Sequence, residues 1–303
     1  MIMKQLSVVE ATVIHDARKA LQIERRALRI RRFFANRLLV IGSLIIVALA
    51  FTALLAPVLS SHTPYEMKTA ERLQAPSGEH LFGTDNFGRD VFSRVVYGTR
   101  VSLTVGSSVA FLSVMVGALI GLYSAYYKFL DHILMRICDG LLAFPGILLA
   151  IALAAALGAN IVNVIIALSV ICTPQIARVV RSAALVVKEQ VYIEALIAQG
   201  ASSLRIIWLH IAPNTISPLI IQFTFIFATS ILIEASLSFL GAGIAPPSPS
   251  LGNILYDSKI VLFSAWWMTI FPGMFILLAV LGFNLFGDGL RDFLDPHTNK
   301  AQK

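Results

Sequence analysis

Six histidines, two cysteines and 17 acidic residues bound what this chain of 303 residues could catalyse or ligate. The histidines are His15, His62, His80, His132, His210 and His297, and none makes a His-x-x-x-His pair that would hold zinc from one helix face. A calcium loop starting at Asp85 would need Gly at its sixth place and Glu at its twelfth, where the chain has Asp90 and Val96. The pattern Gly-x-x-x-x-Gly-Lys-Ser/Thr is missing, so no phosphate-cradling loop for ATP hydrolysis is recognisable. Cys138 and Cys172 lie in or beside apolar stretches and read as buried small hydrophobes. Ser107-Ser108, in another apolar run, reads as packing. One acid stands out. Glu234 is the sole carboxylate between Thr224 and Leu240, where its burial is costly. It is a candidate to line a translocation path, or to make a structural hydrogen bond near the outer boundary. The inventory points away from an enzyme and from any cofactor or metal held by this chain.

Composition explains why so little of the chain is chemical. Hydrophobic residues make up 57% and charged residues 14%; the mean hydropathy is +0.80. A soluble domain carries about 25% charge, so this reads as an all-α polytopic membrane protein. Uncharged runs cover residues 38–65, 101–127, 140–177, 206–233 and 260–287. A span needs about 20 apolar residues. The turn signal Gly158-Ala159-Asn160 splits the longest run. Six helices are predicted, near 38–59, 101–127, 133–157, 161–179, 213–240 and 264–286. Pro145-Gly146 and Pro272-Gly273 can bend the third and sixth. Ser113, Gly117, Gly121 and Ala125 recur at four-residue steps, a stripe that lets a second helix, of this chain or another, approach closely.

The net charge of +7 suggests nucleic acid at first, but its location argues otherwise: nine of the 24 Lys and Arg residues precede position 38. With the N-terminus inside, cytoplasmic segments hold 18 of the 24 and outer segments six, favouring an N-in, C-in orientation. A cleaved signal peptide fits poorly, because the basic region and the apolar stretch are both too long. Residues 10–37 read as a basic helix on the inner membrane surface, or as a solvated tail. The expected layout is a basic segment 1–37, a six-helix domain 38–286 with an external loop 60–100 and a cytoplasmic loop 180–212, and a tail 287–303.

Three polar segments carry the remaining information. The external loop holds Gly83-Thr-Asp-Asn-Phe-Gly-Arg-Asp90, turn-rich and then helical from Arg89 to Val96, with Asp90 and Arg94 placed to pair at i,i+4. The cytoplasmic loop reads as a short helix containing Glu194 and Ala195, a turn at Gly200, a cap at Ser202 or Ser203, and a second helix through Arg205 stopped by Pro213. Short helices showing Ala, Leu and Ile to the cytosol call for a partner or the membrane surface. The third segment, Asn284 to Pro296, has Gly287 and Gly289 placed to end the sixth span.

Taken together, these segments resemble the dipeptide/oligopeptide/nickel family of ABC-transporter permeases, and specifically the second permease of such systems. The Gly-Thr-Asp-x-x-Gly-Arg-Asp loop, the Glu-Ala-x-x-x-x-Gly loop ending His-Ile-x-Pro-Asn, Ser236-Leu-Ser-Phe-Leu-Gly241, Pro246-Pro247-x-Pro249 and Gly-Asp-Gly-Leu-Arg-Asp-x-Leu-Asp-Pro occur in the family's order, across residues 38–297. Leu196 and Ala212 depart from the broader permease motif, which has Ala and Leu there. The resemblance implies a type I importer permease fold in a bacterial inner membrane and a peptide or similar small solute as cargo. It implies a homologous sister permease, one or two ATPase subunits that use the ATP, and an extracytoplasmic solute-binding protein. Glu194, Ala195, Gly200, Ser202, Arg205 and Pro213 would then belong to the ATPase-coupling element. A stand-alone ion-coupled transporter is the alternative, disfavoured by the shortage of paired ionisable groups in the spans.

Overall fold

The computed structural model describes residues 24–294 apart from 25 and 29. The basic segment 10–37 falls largely outside the described residues, as do the end of the tail, His15 and His297. Helix α1 (Arg37–Leu54) begins at Asn36, whose side chain accepts a hydrogen bond from Leu39 N at 3.2 Å. The same side chain donates to Gly289 O at 3.2 Å and ties the first span to the last at one end of the bundle. Helix α2 (Val91–Tyr126) has 36 residues and, at 1.5 Å per residue, is about 54 Å long, well beyond the bilayer core. It starts ten residues before the predicted span, because Asp90 caps a helix that runs without a break from the loop motif into the membrane. Its stripe of small residues faces helix α5 (Ile161–Lys188) of this same chain. A Cβ on Gly117 would sit 2.8 Å from Ile176, and one on Gly121 would lie 2.7 Å from Ala177 O. The Ser113 hydroxyl donates to Ser169 O at 3.3 Å.

The predicted third span, 133–157, is not one straight helix. Helices α3 (Lys128–Leu142) and α4 (Gly146–Leu157) meet at 94° around Pro145, whose ring cannot continue an α-helix from the preceding turn. Five helices are long and apolar enough to cross by themselves, and the bent pair supplies a sixth crossing. The geometry requires that crossing. Lys188 Nζ donates to Ala125 O and Tyr126 O, so α2 and α5 finish at the same end. Ala159, between α4 and α5, lines a cavity with Arg89 and Pro246 at the opposite end. The bent pair must therefore carry the chain from one end to the other.

Two further boundaries depart from expectation. Helix α5 runs nine residues past the predicted 179, to Lys188. Pro213 stops nothing: Ser203–Arg205, a π-turn over Ile206–Ile211 and a 3-10 turn over Ala212–Thr215 run directly into helix α7 (Ile216–Phe239), so Ser203–Phe239 is one apolar rod. The wider π-turn precedes the proline, and Pro213 sits in the first residues of the 3-10 turn, where its missing N–H is no loss. Between α5 and this rod stands the short helix α6 (Val191–Ala198). Helix α8 (Leu251–Ser258) and helix α9 (Trp267–Leu294) complete the chain. Gly287 and Gly289 lie inside α9 rather than ending it. They permit close approach: a Cβ on Gly289 would press on Leu39 of α1, and one on Gly287 on Thr224 of α7.

The main core lies between α2, α5 and α7, with Val105, Leu168, Ile176, Ile226 and Ile231 among its buried members. A second core under the loop end gathers Val91, Val95, Leu251, Ile254, Trp267 and Met268. Cys138 and Cys172 are buried free thiols, as their apolar settings implied. Leu44, Val47, Phe51 and Leu277 remain exposed on the helix exteriors, which suits a lipid surrounding.

Candidate functional site: a coupling face and a motif loop at opposite ends

The segment 189–213 occupies the end where α2 and α5 finish. Gln190 is extended and turns the chain out of α5; α6 then runs for eight residues with Glu194 in its first turn, near the positive end of the helix dipole. Ile193 is 0% exposed and anchors α6 to the main core. Leu196 packs beside it, partly buried, and the other six residues of the helix are exposed. Val191 is 79% exposed and Ile197 51%, with Tyr192, Glu194 and Ala195 also exposed. Gly200 has φ +79° and turns the chain, as its glycine signal implied, and a Cβ there would meet nothing within 4 Å. Its N–H bonds Ile197 O at 3.0 Å, and Ala201 N bonds Leu196 O at 3.0 Å, closing the end of α6. Ser202 holds the position before the next helical turn, but its side chain makes no capping bond. Arg205 and Pro213 are exposed, as are Leu204, Trp208 and Leu209. The six residues singled out from the sequence are all exposed. Tyr192, Ile197 and Leu204 of the same segment are exposed as well.

The motif loop at the other end is closed on itself. Gly83 and Gly88 take positive φ and fold the chain back over α2. Asp85 accepts hydrogen bonds from Phe87 N and Arg89 N, and its Oδ2 lies 2.5 Å from Arg89 Nε. Arg89 reaches on to Asp257 of α8 at 2.9 Å, and Asn86 Nδ2 donates to Asp257 O at 2.9 Å. Trp267 Nε1 donates to Thr84 O at 3.0 Å. Burial pushes the Asp257 carboxyl above the ordinary range, opposed by the Arg89 and Arg94 guanidiniums beside it. The expected Asp90–Arg94 pair does not form. Asp90 is the N-cap of α2, and its carboxylate folds over the first turn to accept from Ser93 N and Ser93 Oγ, each at 2.7 Å. Arg94 points into the loop instead, 3.6 Å from Asp85 and 3.9 Å from Asp257. Nothing in the local sequence marks Asp257 as a partner of Arg89, 168 positions earlier.

Glu234 is fully buried on α7. It accepts from Ser102 Oγ of α2 at 3.0 Å and from Ser238 Oγ at 2.9 Å. Ser238 in turn accepts from Ile244 N at 3.3 Å. The acid thus links α2, α7 and the loop after α7. Beside it, Ser238, Arg89, Arg94, Pro246, Tyr256 and Asp257 border a cavity of about 430 Å³ that opens at the loop end.

Comparison with known proteins converges on one family. Residues 114–300 match the family described as binding-protein-dependent transport system inner membrane component. Residues 25–76 match the N-terminal transmembrane domain of oligopeptide transport permease C. A putative peptide transport system permease protein of Brucella abortus is 48% identical over 266 residues, covering 88% of this chain and 90% of that one. A dipeptide transport system permease protein of Alkalihalophilus pseudofirmus is 46% identical over 86% of each chain. A glutathione transport system permease protein of Pectobacterium atrosepticum is 41% identical, covering 88% of this chain and 89% of its own. Among solved structures, a chain of the MetNI methionine ABC transporter in an inward-facing conformation shares the fold, with TM-score 0.55 and 21% identity over 67% of this chain and 97% of that one.

Proposed function

This chain belongs to the binding-protein-dependent transport system inner membrane component family, and from that premise we propose that it is the translocation subunit of an ATP-driven importer of peptides or similar small solutes. The observation that carries the coupling assignment is the face of α6: Ile193 is sunk in the core with Leu196 packed beside it, while Val191, Tyr192 and Ile197 are exposed. Apolar side chains held out by a buried anchor fit a protein partner. An ATPase subunit is the partner this reading supplies, with Glu194, Ala195, Gly200, Ser202, Arg205 and Pro213 at or beside the contact. Closure of an ATPase pair would push α6. Because the following segment is a continuous rod into α7, the push would pass along α7 into the spans, and ATP state would bias an inward- or outward-open arrangement.

The rest of the assembly follows from the same reading. A homologous sister permease completes the pathway, and an extracytoplasmic binding protein delivers cargo to the loop end. No ATP site is assigned to this chain. The excess of Lys and Arg at one end, with the Asn36–Gly289 contact joining the first and last spans there, supports N-in, C-in. The names of the relatives support a peptide class of cargo. A stand-alone ion-coupled carrier fits less well, since Glu234 is bonded to serines rather than to a second ionisable group.

Copurification tests the assignment. A chain expressed with its neighbouring subunits should retain the ATPases through affinity purification and size exclusion, and purification as a lone functional carrier would overturn it. For orientation, a membrane-impermeant thiol reagent applied to intact cells should label Ser77→Cys and spare Ser202→Cys; the reverse pattern would sink both the topology and the coupling role.

A further inference from the structure

Beside the closed motif loop lies a second polar cluster that the transport reading does not use. His62, His80 and Asp90 each offer one ligand atom, and these atoms lie within 4.8 Å of one another; they are the one such group among the described residues. The three come from three places. His62 follows the short helical extension Ala56–Leu59 of the first span, His80 lies in the loop, and Asp90 caps α2. Around them is a small cavity of about 10 Å³, which Glu66 and Glu71 also border. That is room for about one water-sized sphere.

The hydrogen bonding of His80 makes this more than proximity. Its ring is 2% exposed, with Nδ1 2.9 Å from Asp90 Oδ1 and Nε2 3.3 Å from Glu71 Oε2. A neutral imidazole has one N–H and cannot donate to both carboxylates. If Nε2–H is given to Glu71, the Nδ1 lone pair faces a carboxylate oxygen across 2.9 Å, and a cation between them removes the conflict. A carboxylate behind a histidine is the usual outer support of a histidine that ligates metal, because it fixes the tautomer and aims the other nitrogen. Asp90 is divided in the same way: Oδ2 is taken by Ser93, leaving Oδ1 on the His80 side. The His62 ring stands 5.0 Å from the His80 ring, is half-buried at the rim, and offers a nitrogen within 4.8 Å of the His80 and Asp90 ligand atoms. Lys68 also borders the cavity, but is 3.5 Å from Glu71 and paired there.

We propose that His62, His80 and Asp90 form a binding site for one divalent transition metal of the zinc class, which clamps the end of the first span, the loop and the start of α2 together. Two imidazoles and a carboxylate suit zinc, with a water or Glu66 as fourth ligand, and do not suit calcium or magnesium, which take oxygen donors. The clamp lies at the loop end, away from the coupling face, and does not depend on the cargo.

The test uses the purified subunit complex carrying a tag without histidine. The complex is stripped with EDTA, dialysed against Zn²⁺ and analysed for metal content, with affinity taken from competition with a zinc indicator. Wild type should hold one Zn²⁺ per copy of this chain beyond that held by a His62→Asn complex, and Zn²⁺ should raise its melting temperature. Glu71→Gln should weaken binding about 10- to 100-fold. His132→Asn, on α3 and remote from the site, should bind as wild type does. The His62→Asn complex must melt with wild type in EDTA, so that loss of metal is not loss of fold. If it does not, the comparison is made with His62→Gln under the same criterion. Equal zinc content in wild type and the His62 variant, or no zinc in wild type, would overturn the site.

Discussion

At the motif-loop end, Arg89 and Asp85 are both buried and 2.5 Å apart, with Asp257 completing the network from a distant helix. At the coupling end, Glu194 and Arg205 are exposed, and neither has an ion-pair partner among the described residues. Both ends turn on glycines with positive φ. They differ in where the polar groups find their partners. The loop end pairs Arg89 internally with Asp85 and Asp257. The coupling end buries Ile193, Ile206, Ile207 and Ile211, and leaves Val191, Tyr192, Ile197, Leu204, Trp208 and Leu209 exposed. Two loop motifs can therefore look alike as sequence and differ in how much of each is buried.

The sharpest way to break this contrast is to remove a buried charge. Arg89→Ala leaves Asp85 without its close partner and should cost about 3–5 kcal/mol. We expect a steep fall in membrane abundance and in the size-exclusion peak of the complex. Normal abundance would show that the loop is not self-supporting. Gly88→Ala comes next. Its Cβ would run into the Lys68 carbonyl at φ +72°, so backbone strain of about 1–3 kcal/mol is the minimum; thermal melting of the purified complex measures it.

Gly200→Ala is the matched substitution at the other end. With φ +79° and open space around it, only the conformational term of about 1 kcal/mol applies. Abundance should stay near wild type, and a melting shift as large as that of Gly88→Ala would erase the distinction. Gly200→Asp should spare the spans in the same way but reduce ATPase retention or substrate-stimulated hydrolysis. The smallest effect on stability belongs to Glu194→Lys. Reversing an exposed charge in the first turn of α6 costs about 0.3–1 kcal/mol, so the six spans should insert as before. Copurification of the ATPase, or substrate-stimulated ATP hydrolysis, should nevertheless fall. Unchanged abundance, retention and uptake in both Glu194→Lys and Gly200→Asp would remove the coupling role from this face.

Much of the fold was legible because a bilayer demands long uncharged runs, and charges interrupt a chain only where water or a partner is available. The segments near 38–59, 161–179 and 264–286 reappear as α1, α5 and α9. Gly200 was legible for a similar reason, since a turn between two helices needs a residue that tolerates positive φ. Boundaries were less so. Helix α2 begins at Val91 rather than near 101, and the rod into α7 begins at Ser203 rather than at Pro213. Hydropathy sees the membrane, whereas a helix ends where its backbone hydrogen bonds end. Residues 91–100 and 203–212 are helical outside the predicted spans.

By itself the sequence determined the all-α membrane class, the six crossings and the order of the motifs, because these follow from local composition and from glycine, proline and charge at fixed places. Tertiary structure alone decided which charges are partners. Asp90 lies four residues from Arg94 yet caps its own helix, while Asp257 meets Arg89 from 168 positions away. Side chains pair across whatever surfaces packing brings together, and spacing along one strand of chain cannot encode contacts made through another. The same reason governs the cluster of His62, His80 and Asp90: three separated residues became neighbours only when the end of the first span, the loop and the cap of α2 closed on one another.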